Sequence, residues 1–243
     1  MAKTKQLTAT QSAAKQDSSA NCPKGDENRD NISKVREIIF DFAFGGALVD
    51  ATSQKAFNPK GEKAKSTARQ IITRKAKGLV QKYIQDLLDH KGVDDGAFMA
   101  YATAIAESLR GETFGVDLNA ERGDESEFTF GNIQKLINMT VKNQYGRYFD
   151  DEGKRACFRN CHCPMDSRMI KKVAKEYREK GADDKLKKIK WSSVKWSKLV
   201  FKNTQNECSK AYYDTFQRMV RELADAEGLT PIEYDFVHWD SDE

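Results

Sequence analysis

No apolar run in the 243 residues approaches the ~18 needed to cross a bilayer, so no membrane partner is expected. Met1 to Ala20 is polar and has no apolar core of the kind secretion signals carry, which argues for an intracellular protein of cytoplasm or nucleus. Cysteine is scarce and odd in number, at five, and reads as reduced thiols and not as a disulfide framework. Histidines number only three, which limits imidazole chemistry. A net charge of only +4 excludes a uniformly basic nucleic-acid coat. No strong period-2 alternation and no repeat of fixed period occurs, so strands and solenoids are not expected.

What is present is helical patterning behind a polar leader. At 39% hydrophobic and 32% charged, the chain must contain an unstructured or heavily solvated segment. Residues 1–32 fit: almost no large apolar side chain offsets their chain entropy, so a disordered tail is expected there. Its Ala2-Lys3-Thr4-Lys5-Gln6 matches the start of a histone tail with Lys for Arg, a length of match that polar composition alone supplies. From Ser33, Val35, Ile38, Ile39 and Phe42 recur at helical spacing, and Gly45-Gly46 is expected to weaken or bend that helix. Further helices are expected over Glu62–His90, from Asp94-Asp95 to Gly111, over Gly131–Tyr148, from Pro164 to Gly181 and over Asn206–Gly228. Trp191 to Phe201 is ambiguous, and Thr230 to Glu243 is Pro-led, aromatic and acidic. The fold class is therefore all-α, a single domain over 33–243 of about seven helices.

The small net charge hides segregation. Between Arg168 and Lys202, thirteen basic residues stand against four acids, a local balance of +9. Glu222 to Glu243 holds eight acids and no Lys or Arg. Arg168, Lys171, Lys172, Lys175, Lys187, Lys188, Lys190 and Lys195 are candidate phosphate contacts, with Trp191 and Trp196 among them as stacking aromatics. DNA is the partner this implies. The same pattern also describes a solvated helix face with two core tryptophans. The acidic end either folds back on the basic stretch, offers a protein-binding rim, or keeps the chain soluble.

Three chemistries can be read from the residues. Cys157, Cys161, His162 and Cys163 offer zinc-type ligands within seven residues, with Cys208 as a distant addition. Their spacing is not that of a paired-cysteine zinc site, so three reduced thiols near a packing segment is the favoured reading, and no metal or cofactor is assigned. A thiol nucleophile would need Cys163 or Cys161 beside His162 or His238. The third option is an amine. Phe130-Gly131-Asn132-Ile133-Gln134-Lys135 puts a lysine in the first turns of a largely apolar helix, where burial favours the neutral, nucleophilic form. Lys142, two turns on, is a rival. Pro164-Met165-Asp166 then sets an aspartate at a helix start, where the helix dipole keeps a carboxylate ionised. Lys135 and Asp166 are the candidate catalytic residues.

Gly131 to Asn138 followed by Pro164-Met165-Asp166-Ser167-Arg168 resembles the catalytic part of the helix-hairpin-helix DNA glycosylases, closest to 8-oxoguanine DNA glycosylases of the archaeal type. The resemblance covers about forty residues. It implies an all-α fold, Lys135 as the nucleophile, Asp166 as the essential acid and a modified base in DNA as substrate. Met165 stands where that family has Val, and of the usual hairpin glycines only Gly131 is present. The implication requires the Lys135 amine within a few ångströms of the Asp166 carboxylate, in a cleft rimmed by the basic stretch.

Two other classes fit the composition. One is a non-enzymatic nucleic-acid-binding protein using the same cations. The other is a helical interaction module, for instance in host–virus conflict, docking a partner on Tyr234, Phe236 and Trp239.

Overall fold

In a computed structural model the described residues are 25–53, 56–60, 62–89, 92–180, 189–204 and 206–239. They form eight α-helices: α1 (Gly25–Ala51), α2 (Glu62–Asp89), α3 (Asp95–Leu109), α4 (Phe130–Arg147), α5 (Glu152–Ala156), α6 (Ser167–Glu179), α7 (Lys210–Glu227) and α8 (Pro231–His238). Two short 3-10 turns, Trp191–Ser193 and Trp196–Lys198, precede α7. No strand occurs among the described residues, only an isolated bridge between Val200 and Ser209. The fold class is all-α. No described helix is long and apolar enough to cross a membrane.

The chain divides into two units, 1–37 and 38–243. Of the first, only the opening of α1 is described; its residues 30–37 are exposed. That helix begins at Gly25, ahead of the expected Ser33. Extending an existing helix costs little once it is nucleated. Most of the leader expected to be disordered, residues 1–24, lies outside the described residues.

In the second unit, α1 runs on through Gly45-Gly46 to Ala51 without the expected break. Two helical glycines cost roughly 1 kcal/mol each. Burial of Phe40, Phe44, Ala47, Leu48 and Ala51 outweighs that.

α4 is the central element. Fourteen of its eighteen residues are buried, among them Asn132, Gln134, Lys135, Asn138, Lys142 and Gln144. A helix buried on nearly all sides is ordinarily apolar all round, so each of these polar groups calls for a partner. Thr129 and Asn132 form its capping box. Asn132 Nδ2 also donates to the carbonyls of Ala51 and Ala56, closing the end of α1. At the other end of the unit, α7 stops at Gly228, whose φ of 70° is left-handed, and Leu229 N–H returns to the Ala224 carbonyl. Thr230 and Pro231 then open α8 through a second capping box.

Candidate active site

Lys135 sits in the second turn of α4, and the local sequence explains its surroundings. Gly131 lets the start of α4 touch the Trp196–Leu199 segment: a Cβ there would stand 1.7 Å from the Trp196 carbonyl oxygen. The Gly131 N–H donates to Leu199 O at 3.2 Å, and the Thr129 hydroxyl donates to Ser197 O at 2.8 Å. This close approach lays the Trp196 ring beside Lys135 Nζ, 5.0 Å from its centroid. Trp196 was legible as an aromatic among cations; its role as a cover for Lys135 was not, because nothing local links it to α4.

Asp166 is brought to the same place by a pinned extended segment. The Gln134 side chain on α4 donates to Met165 O at 2.9 Å and accepts from Met165 N–H at 3.2 Å. Gln217 on α7 does the same two residues earlier, donating to Cys163 O at 2.8 Å and accepting from its N–H at 3.0 Å. Two amide side chains thus hold residues 163–165 as a neighbouring strand would. Asp166 then caps α6, its Oδ1 accepting from the N–H groups of Arg168 and Met169 at 2.9 and 3.0 Å. Its other oxygen, Oδ2, lies 2.9 Å from Lys135 Nζ. Burial pushes the Asp166 carboxyl up, but the Lys135 ammonium and the two backbone N–H groups outweigh it and hold the carboxyl below its ordinary range. The two residues expected to act together are in contact, and each side chain keeps a little exposure, 11% and 12%.

The rival amine has its own partner. Lys142 Nζ lies 2.6 Å from Asp235 Oδ2 on α8. It also faces the rings of Phe236 and Trp239, at 4.6 and 5.4 Å. Beyond this ion pair, neither oxygen of Asp235 has a hydrogen-bond partner among the described residues. Burial pushes its carboxyl above the ordinary range, and Lys142 only partly opposes this. In the sequence Asp235 was one charge of an acidic run; its distant partner could not be read.

Among the described residues the cysteine-rich segment gathers no cluster of zinc-type ligands. His162 is buried, with Nδ1 2.7 Å from the Tyr213 hydroxyl and Nε2 2.8 Å from Asp95 Oδ1. Both ring nitrogens are therefore engaged away from the thiols. Burial lowers the His162 pKa despite Asp95, and burial pushes the Cys161 and Cys163 thiols up. These thiols are poorly suited to act as nucleophiles. Asn138 joins the network, donating to the Tyr213 hydroxyl and to Gln134.

The cationic residues divide. Arg168, Lys171, Lys175, Lys190 and Lys195 are exposed. Arg168 stands 5.0 Å from the Trp239 ring centroid. Lys172 is half-buried and paired with Glu176 at 3.2 Å. Lys187 and Lys188 lie outside the described residues. Trp191 and Trp196 are 7% and 9% exposed, so the free stacking faces expected of them are not available. They are core tryptophans that also wall a cleft. Packing against Tyr212 and Lys135, which charge composition cannot reveal, is the reason. Of the C-terminal aromatics, Phe236 and Trp239 are exposed, at 47% and 41%, while Tyr234 is fully buried; Phe42 and Phe149 are exposed elsewhere. The acidic end partly folds back. Tyr234 donates to Glu176 on α6, and the His238 ring stands between Glu227, 2.8 Å away, and Glu176, 3.8 Å away. Asp240, Asp242 and Glu243 lie outside the described residues.

The cleft has a volume of about 760 Å³ and is lined by Ser167, Lys171, Trp191, Lys195, Trp196 and Glu125 among others. Lys135 and Asp166 do not line it; its lining includes Ser167, the residue after Asp166, and Trp196, whose ring centroid is 5.0 Å from Lys135 Nζ. No protein-family model, curated protein or solved structure matches this chain.

Proposed function

We propose that the protein is a DNA base-excision glycosylase and lyase, with Lys135 as nucleophile and Asp166 as its acid–base partner. One observation carries this reading: a primary amine and an ionised carboxylate meet at 2.9 Å at the starts of two helices, next to a cleft flanked by exposed cations. A modified base flipped out of the duplex would present its sugar to this pair. Asp166 takes the proton that Lys135 must shed before it can attack. The Lys135 nitrogen then bonds to the anomeric carbon as the bond to the base breaks. The base leaves with that electron pair and takes up a proton, relayed from Asp166. Ring opening leaves a Schiff base, and elimination of the neighbouring phosphate cuts the strand. Asp166, fixed by two backbone N–H groups, also stabilises positive charge developing on the sugar.

The test is borohydride trapping against duplexes carrying a panel of modified bases. A covalent protein–DNA adduct that disappears with Lys135→Ala is the expected result. No adduct with any lesion, or an adduct that survives Lys135→Ala, sinks the reading.

A second reading has one observation in its favour. The exposed Arg168, Lys171, Lys175, Lys190 and Lys195 would bind a phosphate backbone without any chemistry. It predicts steeply salt-dependent DNA binding that Lys135→Ala leaves intact, and no adduct.

A further inference from the structure

Helix α1 is apolar on two opposite sides, and only one of them is covered. Phe40, Ala43, Phe44, Ala47, Leu48 and Ala51 are buried in the core. On the far side Ile32, Val35, Ile38 and Val49 are each about half exposed, and Phe42 in their midst is 79% exposed. At 3.6 residues per turn these five fall in one line, about 25 Å long. A helix that is apolar all round is ordinarily buried on all sides. Among the described residues only one side of α1 has a layer against it.

Gly45 and Gly46 lie on the uncovered side. A Cβ on Gly45 would meet nothing, and one on Gly46 only the Asn143 side chain, at 3.9 Å. Packing within the protomer therefore gives no reason for two successive residues that weaken a helix. Glycine does allow another backbone to come close. These two stand one turn after Phe42, and Ile38 and Ile39 stand one turn before it. One exposed ring is thus flanked by a bulky turn and an empty turn. An antiparallel second copy centred on Phe42 sets Ile38 and Ile39 of each chain against Gly45 and Gly46 of the other, with Val35 against Val49. The stripe is complementary to itself in this orientation, as a two-fold interface requires. Asp41, close to the axis, is paired with Lys77 of α2 at 2.5 Å, so two bare carboxylates do not meet there.

The area is also sufficient. At roughly 150–200 Å² for a fully exposed large apolar residue, the five side chains expose about 400–600 Å² per copy. That is at the upper end of what a monomer leaves in one patch. Two copies would cover about 800–1,200 Å² of apolar surface; with homodimer interfaces about 65% apolar, the whole contact comes to roughly 1,200–1,800 Å², the size of a specific interface.

We propose that the protein forms a two-fold homodimer in which α1 packs antiparallel on α1 of a second copy, with Phe42 at the axis and Gly45-Gly46 as the recess for Ile38-Ile39. The dimer is independent of the base-excision reading.

The test is sedimentation equilibrium of the full chain over a range of concentrations. A reversible monomer–dimer equilibrium is expected. Phe42→Lys should raise the dissociation constant at least about thirty-fold, the loss of a hot spot at an interface centre. Because Phe42 is exposed, thermal melting of the dilute, monomeric variant should match that of wild type. Gly45→Ala combined with Gly46→Ala separates interface from fold. It improves the helix, so the dilute monomer should melt no lower, while overfilling the recess should weaken the dimer about 5–150-fold. For orientation, Val35→Cys and Val49→Cys are each made with Cys22→Ser and mixed under oxidising conditions. Cross-links should form between the two variants; cross-links of each variant with itself show a parallel pair and overturn the fit. A wild-type chain that stays monomeric, or a dimer unmoved by Phe42→Lys or by the glycine variant, overturns the proposal. A monomer that floats with phosphatidylcholine vesicles, and ceases to with Phe42→Lys, assigns the stripe to a lipid surface and overturns it as well.

Discussion

Helix α4 carries two buried lysines two turns apart, each paired with an aspartate from another helix end or helix, and the two pairs are not alike. Asp166 is an N-cap that accepts two backbone N–H groups in addition to facing Lys135. Asp235 lies within α8 and is paired with Lys142, and among the described residues its oxygens have no further hydrogen-bond partner. Burial acts upward on both carboxyls, yet Asp166 ends below its ordinary range and Asp235 above it. The covers differ as well. Trp196 shuts over Lys135 at 9% exposure, while Phe236 and Trp239 leave Lys142 under aromatic rings that are themselves open to solvent. A lysine–aspartate contact is therefore not a fixed unit of chemistry. The carboxylate that faces its lysine and also caps a helix start is held low, the one without a cap is not, and the neighbouring rings differ in how open they are to solvent.

The sharpest way to break this contrast is to ask which lysine reacts. Lys135→Ala should reduce borohydride trapping at least about a thousand-fold, as expected when a nucleophile is deleted. Lys142→Ala should leave trapping within about ten-fold, since it removes a neighbour and not the attacking group. If the adduct follows Lys142 instead, the roles assigned to the pairs are reversed. Peptide mapping of the trapped adduct gives the same answer without a mutation.

The two covers come next. Truncating a buried tryptophan costs about 3–5 kcal/mol, so Trp196→Ala should lower the urea midpoint strongly. Trp239→Ala removes an exposed ring whose contacts with Lys142 and Arg168 are of the cation–π kind, worth about 0.5–1 kcal/mol at such sites. Equal losses in the two variants would show that the aromatic covers are equivalent after all. A smaller difference is expected between the carboxylates. Asp166→Ala and Asp235→Ala both leave a buried ammonium unpaired, but only the first also loses a helix cap. It should be the more destabilising by about 1 kcal/mol, read from paired denaturant curves.

Much of this arrangement was legible where the signal was local. The start of α4, the aspartate opening α6 and the end of α7 at Gly228 are written in caps and glycines within a few residues of each boundary. Gly45-Gly46 misled, because a local penalty was set against burial of Phe44, Ala47 and Leu48 that only tertiary packing supplies. Trp191 and Trp196 misled for a related reason: a basic neighbourhood speaks of charge, not of which ring faces solvent. The Lys135–Asp166 contact was implied by resemblance, while periodicity alone leaves two residues 31 positions apart unrelated. Asp235 and Gln217 gave no signal at all. Their partners lie far away in the chain, and nothing in an acidic run or an amphipathic helix marks the one residue that turns inward.

The smallest effect separates the pairs by pH, and the two signs are opposite. Asp166 has a folded pKa below its unfolded value, taken as 3.8, so its contribution to stability is present above 3.8 and is lost as pH falls through the lower, folded value. Asp235 has a folded pKa above 3.8, so its carboxyl favours the folded state only below 3.8, and that contribution is lost as pH rises through the raised value. Other carboxyls titrate in the same range; Asp95, held low mainly by His162 and Arg221 against its own burial, shares the sign of Asp166. The comparison must therefore be each variant against wild type, pH by pH. Asp166→Asn keeps an N-cap acceptor and removes the charge, so its stability curve should fall less than wild type on acidification below 3.8. Asp235→Asn should instead lose the wild-type decline on the side above 3.8. Two variants that bend the curve in the same direction would mean that the two carboxyls are not shifted in opposite directions, and the distinction between the pairs would rest on their aromatic covers alone.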